Sequence, residues 1–173
     1  TIEDEFGGAG EELFQEFDDE AVAAASIAQV HFAVTTDGEP VAVKVLRPGV
    51  EEAFKRDLEL FQAIARVIER TRSELRRLKP VETVETIAET VELEMNLQFE
   101  AAAAAELAEN FLGDEDFQVP EVDWSRTSKR VLTTERLSGV SLDDRDGIVA
   151  AGHDPAEVIG ANGQELTYII RVA

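Results

Sequence analysis

The chain has 173 residues, 44% of them hydrophobic and 31% charged, a composition typical of a soluble globular protein with one sizeable core. It contains no cysteine and two histidines, which excludes a disulfide scaffold, a cysteine nucleophile and a histidine-based zinc site. No apolar stretch approaches the roughly 20 residues of a transmembrane helix, and the acidic N-terminus differs from a signal peptide. We therefore expect a cytoplasmic protein.

The charge balance is strongly acidic. Asp and Glu number 37 against 16 Lys and Arg, a net charge of -21, and 12 of the basic residues are Arg. Such a surface repels nucleic acids and anionic lipid headgroups, so neither is expected as a partner. An acidic, lysine-poor protein with a full set of core residues is typical of adaptation to concentrated salt, where a screening length of about 3 Å at 1 M suppresses self-repulsion. An acidic protein from an ordinary-salt environment is the alternative.

The residue pattern of the N-terminal third predicts a short helix followed by a β-hairpin. Residues 10–18 carry apolar side chains at helical spacing, which predicts an amphipathic helix. From Ala21 the pattern is extended, and two Val-rich runs flank Asp37 and Gly38, a strong hairpin signal.

The remainder of the chain is mainly helical by its apolar periodicity. The second helical region is expected to break near Asn96, where its apolar stripe drifts. The predicted elements after the hairpin are a helix over 50–73, a helical region over 81–112, strands over 119–122 and 130–134, and helices over 143–151 and 155–172.

An alanine-rich turn before the hairpin and a lysine in its second strand carry the first chemical signal. The turn consists of Ala23, Ala24, Ala25 and Ser26, and Lys44 ends the run Val-Ala-Val-Lys. A small-residue loop followed by a strand lysine is the layout of a kinase-like nucleotide site. Taken alone, Val-Ala-Val-Lys is a weak signal, because a lysine that ends a buried strand is more often a surface residue whose stem covers the strand, and the alanines fit a plain strand start.

Four segments occur in order along the chain: Ala23 to His31, Val41 to Val50, Glu94 to Ala101, and Val131 to Glu135 with Gly139. Together they resemble the small lobe of the aarF/UbiB/ADCK family of atypical kinases, over about residues 10–152. The resemblance implies an α+β fold, a twisted antiparallel sheet of about five strands with a long helical insert at about 50–92. It also implies two units, a nucleotide-binding small lobe over 1–142 and the start of a large lobe, truncated or divergent, over 143–173.

The resemblance also implies roles for single residues. The alanine-rich turn would take the place of a glycine loop over the phosphates. Lys44 would pair with the phosphates and with Glu100. The alternative for Glu100 is a carboxylate on a helix surface that is exposed to solvent. Glu135 and Leu137 would form the hinge whose backbone meets adenine.

A further motif departs from the family pattern. Glu94 and Asn96 match the first and third positions of its Glu-x-Asp motif, to which a regulatory role is assigned. Asn96 replaces the aspartate, so one negative charge of the motif is lost.

At the level of function, the resemblance implies an atypical kinase or ATPase linked to quinone biosynthesis or membrane lipid metabolism. ATP would be the cofactor, with Mg²⁺ in the parent protein. The family's catalytic and metal-binding residues belong to the large lobe, and we find none in this sequence, so the chain alone is expected to be inactive. Expected partners are a nucleotide, that large lobe, and membrane or lipid-pathway proteins, which would make the parent membrane-associated. The alternative is a non-catalytic acidic helical module that binds another protein and no nucleotide.

Overall fold

The computed structural model describes residues 1–7, 10–114, 117–140, 144–152 and 154. They form a five-stranded antiparallel sheet and five α-helices, so the α+β prediction is confirmed. The helix predicted over 155–172 lies outside the described residues. The strands are β1 (Phe14–Phe17), β2 (Ala23–Ala24), β3 (Ala28–Thr35), β4 (Pro40–Leu46) and β5 (Val131–Glu135). The helices are α1 (Ile2–Phe6), α2 (Val50–Thr71), α3 (Pro80–Glu94), α4 (Leu97–Asn110) and α5 (Arg145–Ala150).

The sheet is built around the predicted β3–β4 hairpin. Its strand order is β1-β3-β4-β5, and β2 pairs with the same edge of β3 as β1 does. The hairpin turn is closed by hydrogen bonds from the Thr35 amide to the Glu39 carbonyl and from the Gly38 amide to the Thr35 carbonyl, both 2.9 Å. Gly38 has a φ of 89°, a left-handed conformation that glycine adopts without strain. The hairpin prediction is therefore confirmed.

The prediction of a helix over residues 10–18 is wrong. Residues Gly10–Glu12 form a 3₁₀ turn, and Phe14–Phe17 is the edge strand β1. A bulge between Phe14 and Glu16 shifts the register against β3, so Phe14 and Phe17 join the same core cluster with ring centroids 5.6 Å apart. A bulged strand thus reproduces the apolar spacing of a helix.

Two apolar cores lie on opposite faces of the sheet. One face carries Leu46 of β4 and Leu132 of β5, packed against Leu97 and Ala101 of α4. The other face carries Val41 and Val43 of β4. This alternation is the period of two expected of a strand with both faces covered. The second face is covered by apolar residues of the N-terminal segment: Ile2, Phe6, Leu13, Phe14 and Phe17.

Helices α2 and α3 form an antiparallel hairpin inserted between β4 and α4, as predicted. Val50 and Phe54 of α2 and Val91 of α3 pack against the core at its base. Farther out, Ala65 is the one buried residue of α2, and α3 has none. Helical structure breaks at Met95 and Asn96, which confirms the expected break. Among the described helices, none has a stretch long and apolar enough to cross a bilayer.

The strand predicted over 119–122 is also wrong, although β5 is confirmed. Val122 forms a single bridge to Thr134, flanked by hydrogen bonds from the Asp123 amide to the Thr133 carbonyl and from the Glu135 amide to the Glu121 carbonyl. The two reciprocal donors are diverted to side chains: the Thr133 amide donates to Thr127 Oγ1 at 3.2 Å and the Glu121 amide to Glu135 Oε2 at 3.5 Å. The pairing therefore stays a single bridge and does not extend into a strand.

Arg126 fastens this segment to the β-hairpin and to the N-terminal strand. Its guanidinium donates to the Leu13 carbonyl (2.8 Å), to Asp123 Oδ2 (2.7 Å) and to Thr36 Oγ1 (2.9 Å). Burial alone would raise the pKa of Asp123, but hydrogen bonds from Ser125 and Arg126 outweigh it and lower that pKa below its usual value. These contacts hold the segment that precedes β5 against the β3–β4 hairpin and the residue before β1.

Candidate functional site

Lys44 is fixed by strands on both sides. Its Cα partners are Val30 in β3 and Leu132 in β5. Val43 and Leu46 in the same strand have no exposed surface, so the backbone that carries the lysine cannot shift without opening both cores. The strand prediction for this residue is confirmed.

Glu100 lies in the first turn of α4, whose start is fixed by polar contacts and by packing. The Asn96 side chain caps the helix by accepting the Gln98 amide at 3.1 Å, and the Leu97 amide donates to the Lys129 carbonyl at 2.9 Å. Leu97 and Ala101, four residues apart, are buried against the sheet. This packing sets the rotation of α4 and turns Glu100 toward β4.

The two side chains form a bidentate ion pair. Lys44 Nζ lies 2.8 Å from Glu100 Oε1 and 2.7 Å from Oε2. The side chains are 24% and 39% exposed, so the pair borders solvent and is open on one side. The predicted contact between Lys44 and Glu100 is confirmed. Because the bonds are charge-assisted and made to both oxygens, the ammonium is held in one place.

The strand register aligns further side chains with the lysine. Opposed residues of antiparallel strands share a face of the sheet, so Ala23, Val30, Lys44 and Leu132 form one row across it. Two residues along, a second row on the same face is formed by Phe32, Ala42 and Thr134. The sequence analysis did not single out Val30, Phe32, Ala42 or Thr134. Alternation from Lys44 would have identified Ala42; the others require the register.

The alanine-rich segment is part strand and part turn. Ala23 and Ala24 form β2 and pair with Val30 and Gln29, so the turn begins only at Ala25, later than predicted. The turn is closed by the Ala25 amide, which donates to the Ala28 carbonyl at 2.9 Å. Ser26 lies at its tip and is exposed. The turn is next to the row that contains Lys44, because Ala23 begins that row.

The predicted hinge residues follow directly after the second row. Glu135 is the last residue of β5 and is exposed; its amide donates to the Glu121 carbonyl at 2.8 Å. The guanidinium of Arg136 stacks on the Phe32 ring, 3.6 Å from its centroid. Leu137 is half-buried beyond it.

The structure separates the two residues of the Glu-x-Asp-like motif. Glu94 is the last residue of α3 and is exposed, whereas Asn96 is the N-cap of α4. Asn96 therefore acts on the site through the position of α4.

The described residues fit some parts of a nucleotide better than they fit a metal ion. An ammonium beside a small-residue turn suits phosphate oxygens, and the small side chains of Ala42 and Thr134 suit a flat base. Within this part of the chain there is no group of three or more His, Asp or Glu side chains placed to hold a metal ion.

Comparison with known proteins relates this arrangement to a family. The sequence matches the ABC1 atypical kinase-like domain over residues 1–169, beyond the 10–152 stretch that carries the motifs. It is 40% identical over 167 residues to a probable protein kinase UbiB of Marinobacter nauticus, covering 96% of this chain and 30% of that protein. It is 41% identical over 143 residues to the protein of that name in Cellvibrio japonicus, covering 83% and 26%.

A solved structure agrees with the sequence comparison. Rv3197 of Mycobacterium tuberculosis, determined in complex with erythromycin, is similar with a TM-score of 0.69 and 31% sequence identity. The similarity covers 83% of this chain and 35% of that one. The chain thus spans about 30% of the length of its first curated relative.

Proposed function

The chain belongs to the ABC1 atypical kinase-like family, and on this premise we propose that it is the ATP-binding small lobe of a UbiB-type atypical kinase or ATPase. The observation that carries the proposal is the bidentate Lys44–Glu100 ion pair, whose partly exposed side chains border solvent. The link of the parent protein to quinone biosynthesis or membrane lipid metabolism rests on the family resemblance and is part of the proposal.

In this proposal Lys44 is a positive charge positioned for a phosphate. Glu100 accepts two hydrogen bonds from the ammonium and limits its freedom, so less rotamer entropy is lost when a phosphate binds. An ammonium has three donors, and the partly exposed side chain can direct one of them toward a ligand. The turn at Ala25 and Ser26 would supply backbone amides to the same phosphates.

The base would lie along the second row of side chains. Ala42 and Thr134 lie opposite each other in β4 and β5, and their short side chains would let a flat ring approach the sheet. Glu135 and Leu137 follow at the end of β5, where backbone groups would meet the polar edge of adenine. The Glu135 amide is already bonded to Glu121, so its role there would fall to its carbonyl oxygen.

We propose nucleotide binding without turnover for the chain alone. Mg²⁺, when bound, neutralises phosphate charge during transfer. No ligand for it is assigned to the described residues. A site contacted from one side leaves the nucleotide in contact with water, which weakens each electrostatic contact. We therefore expect millimolar affinity, roughly 4 kcal/mol.

Titration of ¹⁵N-labelled protein with ATP, followed by amide chemical shifts, tests the proposal. Wild type should show saturable shifts around the turn, β4 and the end of β5 with a dissociation constant near 1 mM. Lys44→Ala should abolish them, because the phosphates lose their cation. Lys55→Ala, which removes an exposed lysine on α2, is the matched control and should bind as wild type does.

A second candidate is the non-catalytic protein-interaction module. Its support is the exposed apolar surface of α2, where Leu60, Phe61, Ile64 and Val67 are 47–59% exposed. The same titration separates the two candidates. Shifts that persist unchanged in Lys44→Ala, or no shifts in wild type, would contradict the nucleotide site and leave the interaction module as the better account.

A further inference from the structure

One residue outside the predicted site holds the alanine-rich turn from both sides. Arg47 directly follows β4, and its backbone amide donates to the Ile27 carbonyl at 2.8 Å. Its side-chain Nε donates to the Ala25 carbonyl at 3.2 Å. Ser26 is the residue between these two acceptors. The side chain of Arg47 thus holds the peptide group directly before Ser26, and its backbone amide holds the peptide group that follows Ile27.

The backbone of Arg47 is itself well anchored. Pro48 follows and restricts Arg47 to extended conformations, and the Arg47 carbonyl accepts the Val50 amide at 3.3 Å. The hydrogen bond to Ile27 continues the β3–β4 ladder one residue beyond β4. The guanidinium therefore starts from a rigid base at the junction of β4 and α2.

The direction of a carbonyl determines the direction of the next amide. In a trans peptide the C=O and N–H bonds point to opposite sides, so holding the Ala25 carbonyl toward Arg47 turns the Ser26 amide away from it. Arg47 is three residues after Lys44, and strand alternation places the two side chains on opposite faces. The Ser26 amide is consequently directed toward the face that carries Lys44.

We propose that Arg47 is a positioning residue for the phosphates, acting through the turn by fixing the Ser26 amide toward them. This rests on the proposed nucleotide site. Arg47 should affect binding of the phosphates and not binding of the base, since neither carbonyl that it holds lies near the second row of side chains. Loss of Arg47 should weaken ATP binding and leave adenosine binding unchanged.

Two substitutions separate the hydrogen bond from the charge. In Arg47→Gln the side-chain amide nitrogen occupies the position of the arginine Nε, so a donor to Ala25 remains while the charge is lost. Arg47→Met places a methyl group at the position of Nε and removes both the donor and the charge. Arg66→Met, on the exposed surface of α2, is the control for removal of an arginine charge remote from the turn.

The experiment titrates each variant with ATP and with adenosine and measures amide hydrogen exchange at Ala25 without ligand. Arg47→Met should raise the ATP dissociation constant about five-fold, the size expected for one hydrogen bond, leave that of adenosine unchanged, and accelerate exchange at Ala25. Arg47→Gln and Arg66→Met should stay within about two-fold of wild type in all three measurements.

Each other outcome overturns a different statement. Equal ATP affinity in Arg47→Met and wild type, or unchanged exchange at Ala25, would overturn the role of Arg47 and leave the nucleotide site intact. A loss in Arg47→Gln equal to that in Arg47→Met would assign the effect to charge and overturn positioning by the hydrogen bond. A wild-type chain that binds no ATP would overturn the proposed function and, with it, the role of Arg47.

Discussion

Asn96 occupies the position at which the family pattern has an aspartate. An aspartate there could cap a helix and could also supply a negative charge, and the hydrogen bond made by Asn96 shows which of these two roles is kept. The side-chain oxygen accepts the Gln98 amide and caps α4. Asn and Asp are about equally good N-caps, so the structural role survives the change and the charge does not. Since Glu100 lies one turn from the cap, Asn96 contributes to the site by holding the start of its helix.

We therefore predict that Asn96→Ala lowers the free energy of unfolding by about 1 kcal/mol, the usual cost of a lost cap. Asn96→Asp should retain that stability or add a few tenths of a kcal/mol, because a carboxylate is favourable at a helix N-terminus. Urea unfolding followed by circular dichroism measures both. An equal loss in the two variants would contradict the capping role and point to the amide group of Asn96.

Among the elements, the long α2–α3 hairpin has little support from the core beyond its base. Its base packs through Val50, Phe54 and Val91, whereas Ala65 is the one buried residue along the rest of α2. Stability within a fold follows local burial, so a segment with few buried side chains opens more readily than the sheet.

This predicts a difference in native-state hydrogen exchange between the two elements. Amides in the outer halves of α2 and α3 should exchange about 100-fold faster than those of β4, because they open without disrupting either core. Amides of α4 near Ala101 provide the internal control, since they are helical and buried and should exchange as slowly as β4. Equal protection in α2 and β4 would show that the hairpin unfolds only with the whole domain.

Elements with strong local signals were predictable from sequence. Asp37 and Gly38 identified the β3–β4 hairpin, and the drifting stripe identified the break at Asn96. The strand at Phe14–Phe17 was missed because its bulge imitates helical spacing, and pairing with β3 decides the outcome. Local periodicity does not contain that long-range information.

The candidate site divides in the same way. Lys44 was visible as a strand lysine, but Glu100 lies 56 residues away, and only the family resemblance linked them. Thr134 and Val30 enter the site through cross-strand register, which exists only once the strands are paired. The contact made by Arg47 is not predictable, since nothing in its sequence neighbourhood reveals a bond to a carbonyl 22 residues earlier.

At the scale of the whole molecule, the charge is unevenly distributed. Residues 1–43 contain 11 acidic residues and no Lys or Arg, whereas residues 66–79 contain six basic residues and two acidic ones. Lys44, the residue proposed to meet phosphate, is the first Lys or Arg in the chain. Repulsion among the acidic side chains opposes folding at low salt. Dissolved salt screens this repulsion wherever the charges are farther apart than the screening length.

We predict that the melting temperature rises between 0.1 M and 2 M KCl, because the screening length falls from about 10 Å to below 3 Å. Each kcal/mol gained raises the melting temperature by about 2–4 °C in a chain of this size.

A variant with Glu85, Glu89 and Glu106 changed to Gln tests the cause, since all three are exposed and helix propensity is nearly unchanged. It should melt higher than wild type at 0.1 M KCl and gain less from added salt. Sucrose at matched osmolality controls for general solute exclusion. A wild-type melting temperature that is flat or falls with KCl, or a variant with the same salt increment as wild type, would contradict adaptation to concentrated salt and leave the fold untouched.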